Sequence, residues 1–310
     1  NLIHFLLKKK YFVINIDKSS YSANPYNVRD FQKNKNYLFF KLDINNKKKI
    51  TKILKKYKPI GLFNLAAETH VDRSIDKAES FIKSNVYGVY NLLESIRGLK
   101  KIEREKIKFL QVSTDEVYGD VQKKYEASEK FNYNPSSPYS ASKASADQLI
   151  KAYARTYGLK TLIANPCNNY GPNQFPEKFI PKMIFNVLNN RSLPIYGKGK
   201  NIREWIYVKD NCEALLKIFL KGKTGENYNV GTKIRLCNID IAKKILIIAN
   251  KNKIKIGAKS KIIYVRDRPG HDNRYALNSN KIKSKIKWKP KVKLDEGLSK
   301  TIQWYSKNFI

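Results

Sequence analysis

Two stretches of the sequence hold side chains with chemistry to do. In Tyr139-Ser140-Ala141-Ser142-Lys143 the tyrosine and lysine stand four apart, so on a helix they share one face. A phenol with an ordinary pKa of ~10 is a poor base at neutral pH, but a nearby ammonium favours the phenolate and lets it take a hydroxyl proton. Alone the pair says little, because exposed Tyr/Lys pairs are common on helices. The second stretch, Phe109-Leu110-Gln111-Val112-Ser113-Thr114-Asp115-Glu116-Val117-Tyr118-Gly119, is an apolar run that stops at two hydroxyls and two adjacent carboxylates. Like charges side by side push one pKa upward, so Asp115 and Glu116 can supply a protonated acid and an ionised base from one dipeptide. The plainer alternative for the dipeptide is a solvated loop or a helix cap.

These residues need elements to hold them. Strands are expected at Tyr11 to Asp17, Tyr37 to Lys41, Gly61 to Asn64, Lys108 to Ser113 and Lys160 to Asn165. Between them Lys47 to Tyr57, Asp76 to Leu99 and Ser137 to Tyr157 carry apolar residues at helical spacing without internal proline. Strand and helix in alternation predict an α/β fold with a Rossmann-like, doubly wound parallel sheet, in which ligands lie at the carboxyl ends of the strands. The run 109–113 ends at that edge. After Asn165, prolines and glycines punctuate the chain and one further helix is expected near Phe179 to Asn189. We therefore expect residues 1–166 to form the sheet domain and 167–310 a smaller α+β substrate-binding domain, with a strand near 227–231 returning to the first sheet.

At 42% hydrophobic, the 310 residues can bury an ordinary core. Cys167, Cys212 and Cys237 are far apart and form no C-x-x-C pair; they suggest neither disulfides nor a thiolate metal site, and suit a reducing cytoplasm. No apolar run reaches the ~18–20 residues that cross a bilayer, so a soluble protein is expected. The formal charge of +36 raises a nucleic-acid partner. Arginine is the minority among the basic residues, however, and the lysines are scattered among Asn and Ile, which reads as a solvated surface.

Set in order, the motifs resemble the nucleotide-sugar dehydratases of the extended short-chain dehydrogenase/reductase family, most nearly those acting on dTDP-glucose. The resemblance rests on Ser113 to Gly119 followed by Tyr139-x-x-x-Lys143, on Ala66-Ala67-Glu68-Thr69-His70-Val71-Asp72-Arg73-Ser74-Ile75 (with Thr69 where serine is usual), and on Pro135-Ser136-Ser137-Pro138. It continues through Asn168-Asn169-Tyr170-Gly171-Pro172, Phe175-Pro176-Glu177-Lys178, Pro194 to Gly199 and Asp267-Arg268-Pro269-Gly270-His271-Asp272. It implies NAD as cofactor, dTDP-glucose as substrate and a homodimer. The family's first strand and glycine-rich phosphate loop would lie ahead of Asn1, and the opening Asn1 to Leu7 reads as a helix cut partway, so a truncated N-terminus is expected.

By the same resemblance, Thr114, Asp115, Glu116, Tyr139 and Lys143 are catalytic. Asp17, Lys18, Asp43, Ile44, Ala66, Ala67, Ser84, Tyr139, Lys143 and Asn169 bind the dinucleotide, with Asp17 on the adenosine ribose hydroxyls, where it would repel a 2′-phosphate. Thr69, Thr114, Asn168, Lys178, Phe179, Tyr196, Arg203, Asn238, Arg268 and His271 bind the sugar nucleotide. Arg203 and Arg268 suit bidentate phosphate recognition on their own chemistry, and equally a surface ion pair. His271 could be an ordinary loop histidine, and no metal-ligand cluster is seen. Three alternatives stay open: an epimerase or decarboxylase of the same fold, which would not need both carboxylates; a dehydratase for another nucleotide such as GDP-mannose; and a non-catalytic RNA-binding relic of the fold.

Overall fold

In the computed structural model, which describes residues 1–308, the chain forms eleven strands. They are β1 (Val13–Asp17), β2 (Tyr37–Lys41), β3 (Gly61–Asn64), β4 (Lys108–Val112), β5 (Thr161–Pro166), β6 (Asn168–Tyr170), β7 (Leu193–Tyr196), β8 (Ile202–Tyr207), β9 (Asn227–Val230), β10 (Arg235–Cys237) and β11 (Ile262–Val265). The longer helices are α1 (Leu2–Lys8), α2 (Lys47–Tyr57), α3 (Val71–Asp76), α4 (Gly88–Arg97), α5 (Pro138–Tyr157), α6 (Phe179–Leu188), α7 (Val208–Lys221), α8 (Asn238–Lys251) and α9 (Leu294–Asn308).

The architecture is α/β and Rossmann-like. Strands β3, β4, β5 and β9 form one parallel sheet in that order, and β1 pairs in parallel with β2 beside it. Strands β4 and β5 are buried on both faces, which is why they read as continuous apolar runs rather than alternating ones. The strand expected to return does so: β9 lies along β5, with Ala164 opposite Tyr228. Strands β10, β8 and β6 form a second sheet, and β11 pairs with β7. One core cluster contains Leu110 and Leu162 from the first sheet together with Ile206, Leu215 and Trp288, so the two halves of the chain share apolar packing. A separate cluster around Ile184, Ile195, Ile245 and Leu298 belongs to the C-terminal half.

Helix α5 shows why its sequence folds as it does. Ser137 caps it, accepting from the Ser140 amide while the Ser140 hydroxyl accepts from the Ser137 amide, Pro138 occupies the first turn, and Gly158 closes it at φ 64°. The single helix expected over Asp76 to Leu99 begins only after a break at Lys77 and Ala78, and runs from Glu79 to Arg97 with a π-helical segment inside it. Helix α3 stops at Asp76, a π-helical segment spans Ile82–Tyr87, and α4 starts at Gly88. The wide turn carries Asn85 into the interior, where its amide bonds the backbone N–H and C=O of Glu68 (2.8 and 2.9 Å) and the Ser142 hydroxyl (2.9 Å). Apolar periodicity cannot reveal such an insertion.

Strands β1 and β3 do not pair with each other. Between them runs a groove of about 630 Å³, floored and roofed by helices on both faces, with Leu2 and Leu6 of α1, Ile50 and Leu54 of α2, and Leu216 and Phe219 of α7 in its walls. Two parallel edges separated by an apolar slot have the form of a sheet that accepts one more strand. A chain lengthened ahead of Asn1 by an apolar strand and a glycine-rich turn should fill it, slowing hydrogen exchange of the β1 and β3 amides ~10-fold or more. Unchanged exchange in the lengthened chain would show that the groove takes no strand.

Candidate active site

Strand β4 ends at Val112, and the chain turns at once into a single 3₁₀ turn, Asp115–Tyr118, capped by the Thr114 side chain, which accepts from the Glu116 amide at 3.2 Å. Gly119 makes this turn possible. Its φ is 68°, and a Cβ there would lie 2.0 Å from the Asn134 carbonyl oxygen, so no other residue fits. The turn separates the adjacent carboxylates. Asp115 is buried; its Oδ1 accepts from the Thr114 hydroxyl at 3.3 Å, and its Oδ2 meets no partner. Glu116 is half-buried, and its Oε2 accepts from the Tyr275 hydroxyl at 3.4 Å.

Burial pushes both carboxyls upward, and the environments then diverge. Asp115 rises well above the ordinary range, through burial first and then the charges of Glu116 and Glu204. Glu116 rises too, again through burial, but Arg268, Arg203 and Lys178 all favour its ionised form. Burial thus favours the protonated form in both, more strongly in Asp115, while the cations around Glu116 favour its ionisation.

Helix α5 brings Tyr139 and Lys143 to the same place. Both are buried, and Lys143 Nζ donates to the Val112 carbonyl at 2.7 Å, anchoring α5 to the end of β4. The phenol is not held as phenolate here. Burial, then Glu116, drive it above its usual value, while the Thr114 hydroxyl hydrogen-bonds to it and works the other way. The lowering expected from Lys143 is therefore outweighed in this structure, because Lys143 is turned onto a carbonyl and is itself lowered to about 8 by burial.

The residues expected to bind the dinucleotide converge. Asp17, Lys18, Asp43, Ile44, Ala66, Ala67 and Ser84 line one cavity of about 140 Å³ at the carboxyl ends of β1 and β3, together with Ile16 and Leu42. Asp17 is exposed at the end of β1, and Lys18 Nζ reaches Glu68 (2.8 Å) and Ser84 (3.1 Å). An exposed carboxylate, apolar walls and two alanines fit an adenosine with free ribose hydroxyls. Asn169 lies apart on β6; its amide donates to the Cys167 carbonyl, and its Oδ1 is buried without a partner, as is that of Asn168.

On the other side of the site, Lys178 Nζ donates to the Thr69 carbonyl at 2.5 Å, Phe179 stacks on Trp205 at 6.0 Å, and Asn238 opens α8. Arg203 is buried, donates to the carbonyls of Ile202 and Asp272 (both 2.9 Å) and lies 4.1 Å over the Tyr275 ring, so it is no surface ion pair. Arg268 does form an ion pair, with Asp72 at 3.1 Å, and its Nε stays buried without a partner. Tyr196 donates to the same Asp72 carboxylate at 2.8 Å, and His271 contacts Asp267 at 2.7 Å. Among the described residues there is no cluster of His, Cys, Asp and Glu that could hold a metal.

Reading the sequence missed several members. Asp72 ties the N-terminal half to Tyr196 and Arg268; Tyr275 bridges Glu116 and Asp272 (3.4 and 2.7 Å); and Tyr21, under the Arg73 guanidinium at 3.7 Å, reaches across to Glu177 at 2.8 Å. Asp72 stands inside a quoted motif and Tyr275 three residues past another, which was the available signal.

With this geometry in place, comparison with known proteins is decisive. The family model described as GDP-mannose 4,6 dehydratase matches residues 1–301. The chain belongs to that family. Within it, the chain is 43% identical over 305 residues to dTDP-glucose 4,6-dehydratase of Haemophilus influenzae, covering 95% of this chain and 90% of the relative. Among solved structures it resembles dTDP-glucose 4,6-dehydratase from Bacillus anthracis in complex with NAD (TM-score 0.88, 39% identity, 100% of this chain and 93% of that one). It also resembles the Streptomyces venezuelae enzyme of the same name with NAD and TYD bound (TM-score 0.91, 34% identity, 99% and 93%). In this dehydratase family member the buried Asp115 makes a thermodynamic prediction. Its raised pKa means that the folded state holds a proton the unfolded chain has released above pH ~4, so the penalty is absent at low pH and grows as pH rises. Asp115→Asn should therefore raise thermal stability at pH 7, by ~1 kcal/mol or more, and much less at pH 4. A gain independent of pH, or a loss at pH 7, would contradict the buried, protonated carboxyl.

Proposed function

We propose that this protein dehydrates dTDP-glucose to the 4-keto-6-deoxy sugar nucleotide, with NAD as a cofactor that is regenerated in each cycle. The observation that carries the reading is the buried Asp115, its pKa pushed well upward and its Oδ2 free, next to a Glu116 that faces cations, with both carboxyls close enough to Tyr139 to act on its ionisation. An epimerase has no use for that pair.

When bound, NAD supplies an acceptor for the hydride of sugar carbon 4 and later returns it to carbon 6. The cavity of Asp17, Asp43, Ile44, Ala66 and Ser84 would hold its adenosine end, and Asp17 would select against a 2′-phosphate. Thr114 holds the 4-oxygen and Tyr139 takes its proton. The 4-ketone so formed acidifies carbon 5, where Glu116 takes the proton while Asp115 gives its own to the departing 6-hydroxyl, which leaves as water. Glu116 then gives its proton back to carbon 5. Lys143 assists Tyr139. Arg203, Arg268, Lys178 and Asn238 supply the cations and amide for a nucleoside diphosphate, with Phe179, Tyr196, Thr69, Asn168 and His271 around the base and sugar. On this reading residues 1–166 form the cofactor-binding domain, which also supplies Thr69 and the catalytic residues to the sugar, and 167–310, apart from β9, form the substrate-binding domain.

The test uses the lengthened chain described above. Tyr139→Phe should abolish oxidation at carbon 4, whereas Asp115→Asn should allow it and slow loss of water ~10²–10⁴-fold, so that absorbance of the reduced cofactor accumulates. Loss of the first step in both variants would make Asp115 a sugar-positioning group; full activity of Asp115→Asn would sink the dehydratase reading. Product analysis with dTDP-, UDP- and GDP-sugars fixes the base.

We also place the protein in the cytoplasm, in keeping with its three unpaired cysteines, and among the described residues no helix is long and apolar enough to cross a membrane. A homodimer suits the patch formed by Ile82, Tyr87 and Tyr90 of the π turn and α4 with Tyr157 of α5, all exposed. Light scattering should give twice the chain mass, falling to a monomer in Tyr87→Glu; a monomeric wild type would remove this assignment.

A further inference from the structure

Helix α5 carries a third polar residue on the face of Tyr139 and Lys143. One turn beyond the lysine stands Asp147, with no exposed surface at all. Its Oδ2 accepts from Ser113 Oγ (2.6 Å), the Tyr133 hydroxyl (3.0 Å) and Asn165 Nδ2 (3.5 Å), which come from the end of β4, the loop before α5 and β5; its Oδ1 has no partner. All three donors are neutral. A carboxylate so enclosed is costly unless a cation shares the interior. Two lysines face it, Lys143 and, one turn further along, Lys151; the other titratable neighbours are Tyr133, Tyr118 and Tyr139 itself, whose ionisation the Asp147 charge opposes directly, so any help to the phenolate must come through Lys143. Only Lys143 is buried with it.

We propose that Asp147 is a positioning residue for the proposed reaction, the buried counter-charge that keeps Lys143 an ammonium and so lets it favour the Tyr139 phenolate. Three observations support this. The spacing 139, 143, 147 puts all three on one helix face. Lys143 has its Nζ on the Val112 carbonyl, and the carboxyl is bonded to Ser113, the next residue, so both groups are fixed to the same strand end. Lys143 feels Asp147 as the charge opposing its desolvation. A structural carboxylate serving only Ser113 and Tyr133 could be an asparagine or glutamine without burying a charge. With Lys143 lowered to about 8 and Asp147 raised to about 6, both groups are charged between those values, the range in which a base is needed at neutral pH.

The inference rests on the dehydratase reading for its purpose, but the titration that decides it needs neither cofactor nor substrate. In protein labelled with [ε-¹³C]lysine, the resonance absent from Lys143→Arg reports Lys143. The wild-type signal should titrate near pH 8 with a second, smaller inflection near pH 6 as Asp147 protonates. In Asp147→Asn, which keeps an acceptor for Ser113 and Tyr133, the lower inflection should vanish and the main one move down by about one pH unit or more. In the turnover assay the same variant should shift the acidic limb of kcat to higher pH with KM little changed. A Lys143 titration identical in wild type and Asp147→Asn, or a wild-type curve with no inflection near pH 6, overturns the proposal. The wild-type curve decides alone should the variant fail to fold.

Discussion

Two carboxyls joined by one peptide bond must live in different worlds: Asp115 dry, Glu116 among cations. A straight strand would send neighbouring side chains to opposite faces of the sheet, one toward each helical layer, and a long loop would leave both in water. The 3₁₀ turn avoids both outcomes by ending β4 at the sheet edge and closing within four residues on Gly119. What surrounds the turn then follows. The cations that face Glu116 all come from beyond β5, in Lys178, Arg203 and Arg268, so the dipeptide is divided only when the C-terminal half is packed against the sheet. The shared apolar core, the Asp72 bridge to Tyr196 and Arg268, and the Tyr275 bridge to Glu116 are the means of that packing.

Much of this was legible in the amino-acid order because it is local. Helix α2 spans the expected residues Lys47–Tyr57, β4 falls one residue short of its expected end, and seven of the residues expected around the dinucleotide line a single cavity. Where the reading fell short, the cause lies in contacts distant along the chain. The π turn at Ile82–Tyr87 exists because Asn85 meets Glu68, and nothing in an apolar repeat marks that. Asp72 finds Arg268 from 196 residues away. Asp147 had a local signal, four residues after Lys143, but helical spacing alone does not distinguish a buried counter-charge from a solvated face.

The formal charge of +36 and the site obey different rules. On the surface, lysines repel one another weakly through water and salt, at ranges near the Debye length of ~8–10 Å. Inside, single charges decide protonation: the sites of Asp115, Glu116, Lys143 and Asp147 are all set first by desolvation and then by one or a few neighbours. A large positive surface still raises the local concentration of a dianionic sugar nucleotide near the cleft, an effect on arrival rather than on chemistry.

The return of β9 to the first sheet bears on how the chain comes off the ribosome. Ile163 pairs with Asn227, so when β5 has been synthesised its outer edge must wait until β6, β7, β8 and helices α6 and α7 have followed before its partner exists. During that interval β5 presents unpaired N–H and C=O groups on a strand apolar on both faces, the form of edge that recruits other chains. Non-local pairing of this kind also slows folding. The nascent protein is therefore most exposed to self-association midway through its own synthesis, and proteolytic trimming of the C-terminal half would return it to that state.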